Sequence, residues 1–125
     1  MKRTLFPIFF IYLGLQLYAQ QPPPEIEWTK TFGKSNYDRV YSIANTPDGG
    51  YAVAGYTYSK EDRNGNILIS KLDIKGDIEW NKTFGMGRSE KAFSIISTPG
   101  GGYAVAGFTS SKGAGSEDMW ILKLD

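Results

Sequence analysis

Any chemistry this chain performs has to come from carboxylates, amines, hydroxyls and aromatic rings, because its 125 residues include no histidine and no cysteine. That removes Ser-His-Asp and Cys-His nucleophile systems and most zinc or copper sites. Gly33-Lys34-Ser35 carries the last three letters of a phosphate-binding loop. Such a loop needs a glycine five residues before its last glycine and a helix behind it, whereas position 28 is Trp and a strand pattern follows. The segment reads as a turn between strands. Asp62-Arg63-Asn64-Gly65-Asn66 sets oxygen ligands at alternate positions, as a calcium loop begins, but lacks the glycine at its sixth position and the closing Glu. It reads as a solvated loop. Carboxylates are numerous, and a pair for glycoside hydrolysis is defined by spatial separation, which spacing along the chain does not give. Asp73 and Asp125 flank turns or termini, and Glu27 and Glu79 fall on the polar side of outer strands, so turn-capping and solubility are their expected roles. Tyr37, Tyr41 and Tyr58 are candidates for stacking on a sugar or peptide. Tyr41 is instead expected between sheets, because Phe93 takes its place later in the chain. No catalytic, cofactor-binding or metal-ligating residue is assigned, and no cofactor is expected.

The elements that would position these groups are written twice. Residues 28–73 align with 80–125 at a constant offset of 52 without a gap, and 23 of the 46 paired positions are identical. A period of that length marks a repeat architecture, in which one supersecondary unit cannot bury its apolar faces alone. Segments 39–46, 51–59, 66–74 and 77–84 are rich in β-branched and aromatic residues and bounded by Gly, Pro, Asn and Asp, which predicts a four-stranded meander. Thr46-Pro47-Asp48-Gly49-Gly50 sets Pro where φ is fixed and Gly where φ turns positive, and Asp73-Ile74-Lys75-Gly76 predicts a type I turn closing on glycine. Tyr51-Ala52-Val53-Ala54-Gly55-Tyr56 has no polar alternation and predicts a strand buried on both faces. Its small residues Ala52, Ala54 and Gly55 are expected to admit a neighbouring sheet closely. Segment 26–32 reads as an outer strand, and Ile78, Trp80 and Phe84 are expected on one apolar face.

The ends and the charge bound the setting. Lys2 and Arg3, the apolar run 5–17 and Leu17-Tyr18-Ala19 predict a signal peptide over 1–19, cut after Ala19. Residues 20–25, with Pro22-Pro23-Pro24, follow as a stiff spacer, then repeat 1 over 26–76 and repeat 2 over 77–125. The expected destination is the exterior, the cell surface or the periplasm, with the fold held by packing alone. A net charge of +1 without a basic block argues against nucleic acid or an anionic membrane as partner.

The pattern Trp-x-Lys-Thr-Phe-Gly, then Thr-Pro-x-Gly-Gly-Tyr-Ala-Val-Ala-Gly-x-Thr, then Lys-Leu-Asp resembles the β-propeller-type repeats of secreted and surface proteins of bacteria and archaea, over residues 27–125. Segment 72–80 is similar to the tryptophan-docking motif of quinoprotein propellers, with one residue fewer between Asp and Gly, and Thr46-x-Asp48-x-Gly50 resembles the Asp-box turn of sialidase propellers. These resemblances imply fold and export but neither cofactor nor reaction. The expected fold is all-β: two four-stranded antiparallel propeller-type blades, with an eight-stranded β-sandwich as the alternative. Propellers typically need about 4 to 8 blades, so two imply self-association head to tail or neighbouring blades. The expected function is that of an exported, non-enzymatic module for binding a glycan or protein or for surface structure. Its rivals are an accessory fragment of a carbohydrate-active enzyme and a piece of a larger propeller protein.

Overall fold

The computed structural model describes residues 21–33, 37–58 and 64–125, and these form seven strands without a helix. They are β1 (Tyr37–Asn45), β2 (Tyr51–Tyr58), β3 (Gly65–Leu72), β4 (Ile78–Phe84), β5 (Glu90–Ser97), β6 (Tyr103–Thr109) and β7 (Asp118–Leu124). All pairings are antiparallel between sequence neighbours, giving one sheet of order β1-β2-β3-β4 and a second of order β5-β6-β7. The signal-peptide reading lies outside the described residues, as do Lys34, Ser35, Asp62 and Arg63 of the two loop motifs.

The turns form where their residues demand. The Gly49 amide donates to the Thr46 carbonyl at 3.0 Å, and Gly49 takes the left-handed conformation at φ 83° that Asp-Gly turns require. The Asp73–Gly76 turn closes the same way, with Asp73 Oδ1 accepting from the amides of Lys75 (2.8 Å) and Asp77 (2.9 Å). Asp73 thus has the turn-capping role read from its position.

Both sheets carry a β-bulge at equivalent sites, one between Val40 and Ser42 and one between Ala92 and Ser94. A bulge turns the extra side chain out of the alternation. The extra residues are Tyr41 and Phe93, and their rings meet at 5.2 Å between centroids. Tyr41 also stacks on Tyr56 at 5.9 Å, and Phe93 meets Phe108 at 6.0 Å, so an aromatic ladder runs across both sheets. Tyr41 remains 45% exposed. It therefore belongs to a rim contact rather than to the buried inter-sheet position expected of it.

In Ala-Val-Ala the alanines share one face of the sheet and the valine takes the other. The core joins unlike faces. Ala52, Ala54, Ile67 and Ile69, on the alanine face of the first sheet, pack against Ala92, Ile95, Tyr103 and Val105, on the valine face of the second. Two hydrogen bonds cross between the sheets at their first strands: the Ile95 amide donates to Ser42 Oγ at 3.2 Å, and Ser97 Oγ donates to the Asn45 carbonyl.

Two expectations about strands are corrected. Among the described residues the second sheet has three strands rather than four, and residues 26–32 form no strand although they nearly repeat β4. Residues 26–32 are held by side chains instead. The Trp28 ring meets Tyr51 edge-on at 5.8 Å and lies against the bare Cα of Gly76, and Lys30 Nζ bonds Asp77 Oδ1 at 2.8 Å. Within β4, a register shift at Glu79 pairs Trp80 with Lys71 but Ile78 with Leu72, two neighbours on opposite faces. Ile78 is thereby separated from Trp80 and Phe84, with which it was expected to share a face.

Candidate functional site: open faces, an open edge and an aromatic groove

Among the described residues the buried charged side chains, Lys71 and Glu90, lie in two places. At the first, Lys71 of β3 is buried beneath the 46–50 turn, where its Nζ donates to Asp48 Oδ2 (2.9 Å) and to the Leu72 carbonyl (2.9 Å), with Glu79 at 3.3 Å. Asp48 also accepts from Thr46 Oγ1 and from the Gly50 amide at 3.1 Å. Those bonds, Thr46 first and Lys71 next, hold the Asp48 carboxyl well below the usual carboxylate range. Burial pushes the Lys71 ammonium down, but its bonds to Asp48 and Glu79 outweigh burial and hold it above the ordinary lysine value. The Lys71 ammonium meets three acceptors and both Asp48 oxygens accept, so this is a turn lock. The second copy has Gly100 where Asp48 stands, and Thr98 Oγ1 is left buried without a partner.

The lock has a pH signature. A carboxyl held more acidic in the folded chain contributes stability above its unfolded value, near pH 4, and the contribution is lost as pH falls toward the folded value. The stability difference between wild type and Asp48→Asn should be flat from about pH 6 to 8 and shrink below about pH 4. Urea midpoints across that range test it, and a difference unchanged down to about pH 2 would remove Asp48 from the lock.

At the second place, Glu90 is fully buried. Its Oε1 accepts from Thr109 Oγ1 at 3.0 Å and from Ser111 Oγ, and its Oε2 accepts from the Met86 amide at 3.4 Å. Glu90 thus ties the loop before β5 to the loop after β6. Sequence reasoning did not find this cluster, since Asp38 stands at the equivalent place and only burial distinguishes the two.

Among the described residues, no group of three or more Asp or Glu side chains converges as a metal site would require. Gly115 and Asp118 meet only as an amide donating to a carboxylate, at 3.1 Å. Glu27, Glu79 and Asp125 are exposed. Tyr37 and Tyr58 meet at 6.2 Å between ring centroids, and Tyr37 keeps an exposed surface.

The open faces of the two sheets carry exposed apolar side chains. The valine face of the first sheet exposes Val40 and Ile43, and the alanine face of the second exposes Ile96, Met119 and Ile121. β7 has no strand on its outer edge among the described residues. Beside that edge lies a groove of about 340 Å³ lined by Trp80, Lys82, Phe84, Tyr103, Leu124 and Asp125. Trp80 meets Tyr103 edge-on at 6.2 Å, the same residue types in the same arrangement as Trp28 on Tyr51. No protein-family model matches the chain, and no curated protein matches it. Among the described residues no helix is long and apolar enough to cross a membrane.

Proposed function

We propose that this chain is an exported, non-enzymatic β-repeat module that works by surface contact, built from two consecutive propeller-type blades rather than from the halves of a closed sandwich. The observation that carries the reading is the meeting of unlike faces. A sandwich whose two repeats face each other would join the same face of each copy. Here an alanine face meets a valine face, which leaves one of each kind open, with Ile43 and Ile121 exposed on them. Large exposed apolar faces on a soluble protein mean contact with a partner. The buried charged groups are engaged by neighbours in the fold, Lys71 with Asp48 and Glu90 with Thr109.

The groove between Trp80 and Tyr103 favours a second reading, the accessory carbohydrate-binding fragment, since paired aromatic rings with a flanking amine and carboxylate suit a sugar. Glycan and peptide arrays probed with the purified protein separate the readings, with hydrolysis of the captured ligands followed in parallel. Capture without turnover is the expected result. Capture of oligosaccharide accompanied by quenching of tryptophan fluorescence would favour the groove, and hydrolysis would sink the non-enzymatic reading.

A further inference from the structure

Among the described residues, the segment 26–32 pairs with no strand and the outer edge of β7 receives none. Residues 26–32 read Ile-Glu-Trp-Thr-Lys-Thr-Phe, and β4 reads Ile-Glu-Trp-Asn-Lys-Thr-Phe, identical at six of seven positions. β4 completes the first sheet on the outer edge of β3. β7 is the equivalent of β3, and its outer edge is open. We propose that residues 26–32 of one molecule add as the fourth strand to β7 of a second copy of this chain, joining molecules head to tail. The inference rests on the reading of the chain as an interaction module, and it names the partner and the contact.

Three independent features converge on that pairing. The first is register. Moving the β3·β4 pairing by one repeat sets Phe32 opposite Met119, Lys30 opposite Ile121 and Trp28 opposite Lys123, with the bulge of Glu79 falling on Glu27. Glu27 then stands to Lys123 of the second copy as Glu79 stands to Lys71, at 3.3 Å. Lys123 Nζ has the Leu124 carbonyl as its hydrogen-bond acceptor, at 2.6 Å, and among the described residues meets no carboxylate as Lys71 does.

The second feature is position. Trp80, Lys82 and Phe84 turn one face of β4 toward the second sheet, and the groove lies there, beside the edge of β7 that no described strand covers. A donated strand would occupy it. In its own molecule the donor is already docked as a preceding sheet's last strand should be, with Trp28 on Tyr51 as Trp80 is on Tyr103. Its backbone remains without a strand partner, and Ile26 is 83% exposed.

The third feature is the match of faces. Three of the apolar residues left open have a buried counterpart one repeat away: Ile121 is 67% exposed and Ile69 0%, Met119 93% and Ile67 0%, Ile43 59% and Ile95 3%. The open alanine face of one molecule therefore fits the open valine face of the next, as the corresponding faces already fit inside the chain. An uncovered apolar edge strand is an aggregation hazard, and addition of a strand to it is a common mode of recognition. The contact is heterologous, so molecules close into a ring or grow as a chain.

The test uses two variants that each block one half of the contact. T29P/K30P places adjacent prolines in the donor, so that a ladder amide is lost whichever of the two faces β7. Ile121→Lys charges the acceptor face at an exposed position. Native mass spectrometry and light scattering should find wild type as multimers at about 100 μM, and each variant as a folded monomer by its unchanged circular dichroism. Mixed in equal amounts, the variants should form a one-to-one dimer, because each keeps the half the other lacks. Monomeric wild type at that concentration, a variant that self-associates as fully as wild type, or a mixture without dimer would each overturn the donation. A monomeric wild type that still captures ligands on the arrays would leave the module reading standing.

Discussion

Ile69→Ala should destabilise the protein by about 2 to 5 kcal/mol, the range for emptying a buried Ile site, whereas Ile121→Ala should cost less than about 0.5 kcal/mol in dilute solution. The two are the same residue one repeat apart, in the same sequence motif Ile-x-Lys-Leu-Asp. Ile69 is completely buried between the sheets, and Ile121 is exposed on the open alanine face of the second. Removing methyl groups from a packed interface loses both the transfer free energy and the contacts that the remaining cavity forfeits. At an exposed site neither term applies. Urea titration at low protein concentration measures both, and equal costs at the two sites would mean that the open face is covered in the monomer. At concentrations where molecules join, the Ile121 variant should lose assembly rather than fold.

Gly55→Ala and Gly107→Ala should each cost about 3 kcal/mol, at the upper end for overpacking a well-filled site. A Cβ at Gly55 would lie 1.8 Å from the Arg39 carbonyl oxygen, and one at Gly107 would lie 1.9 Å from that of Lys91. Both obstacles are backbone on the adjacent strand at the bulge, so no rotamer change relieves them. The strand carrying Tyr41 or Phe93 would have to move, taking the aromatic ladder with it. Denaturant midpoints test this, and a loss under about 0.5 kcal/mol in either variant would show that the bulge accommodates a side chain without resistance. The glycine was expected to serve close approach of a second sheet. Ala52 and Ala54 do serve that, while Gly55 answers to a strand in its own sheet.

How far the fold was legible follows from where each signal resides. The strands β1 to β4 and the turns between them rest on local rules: β-branched runs bounded by Asp-Gly, Pro and Gly turns specify themselves within a few residues. Residues 26–32 carry the same local signal as β4 and yet make no strand, because a strand exists only if an edge is present to receive its amides and carbonyls. The alternation rule likewise placed Ile78 with Trp80 and Phe84, but a single extra residue at Glu79 changed the register and so the face. The candidate site was less legible still. Lys71 and Glu90 look like ordinary surface charges in the sequence, and their roles come from partners 19 to 23 residues away that only the turns and the strand stacking bring near.

By itself the sequence determined an all-β chain of repeated short strands, the turn chemistry that joins them and the absence of histidine or cysteine chemistry, since each depends on residue type and near neighbours alone. Only the tertiary structure decided which of two identical positions is inside. Ile69 and Ile121, and Thr46 and Thr98, are equal as letters and unequal as environments, because the two sheets meet by unlike faces and each repeat therefore has a neighbour on a different side. Burial is a property of the pair of sheets, and a sequence repeat cannot express it.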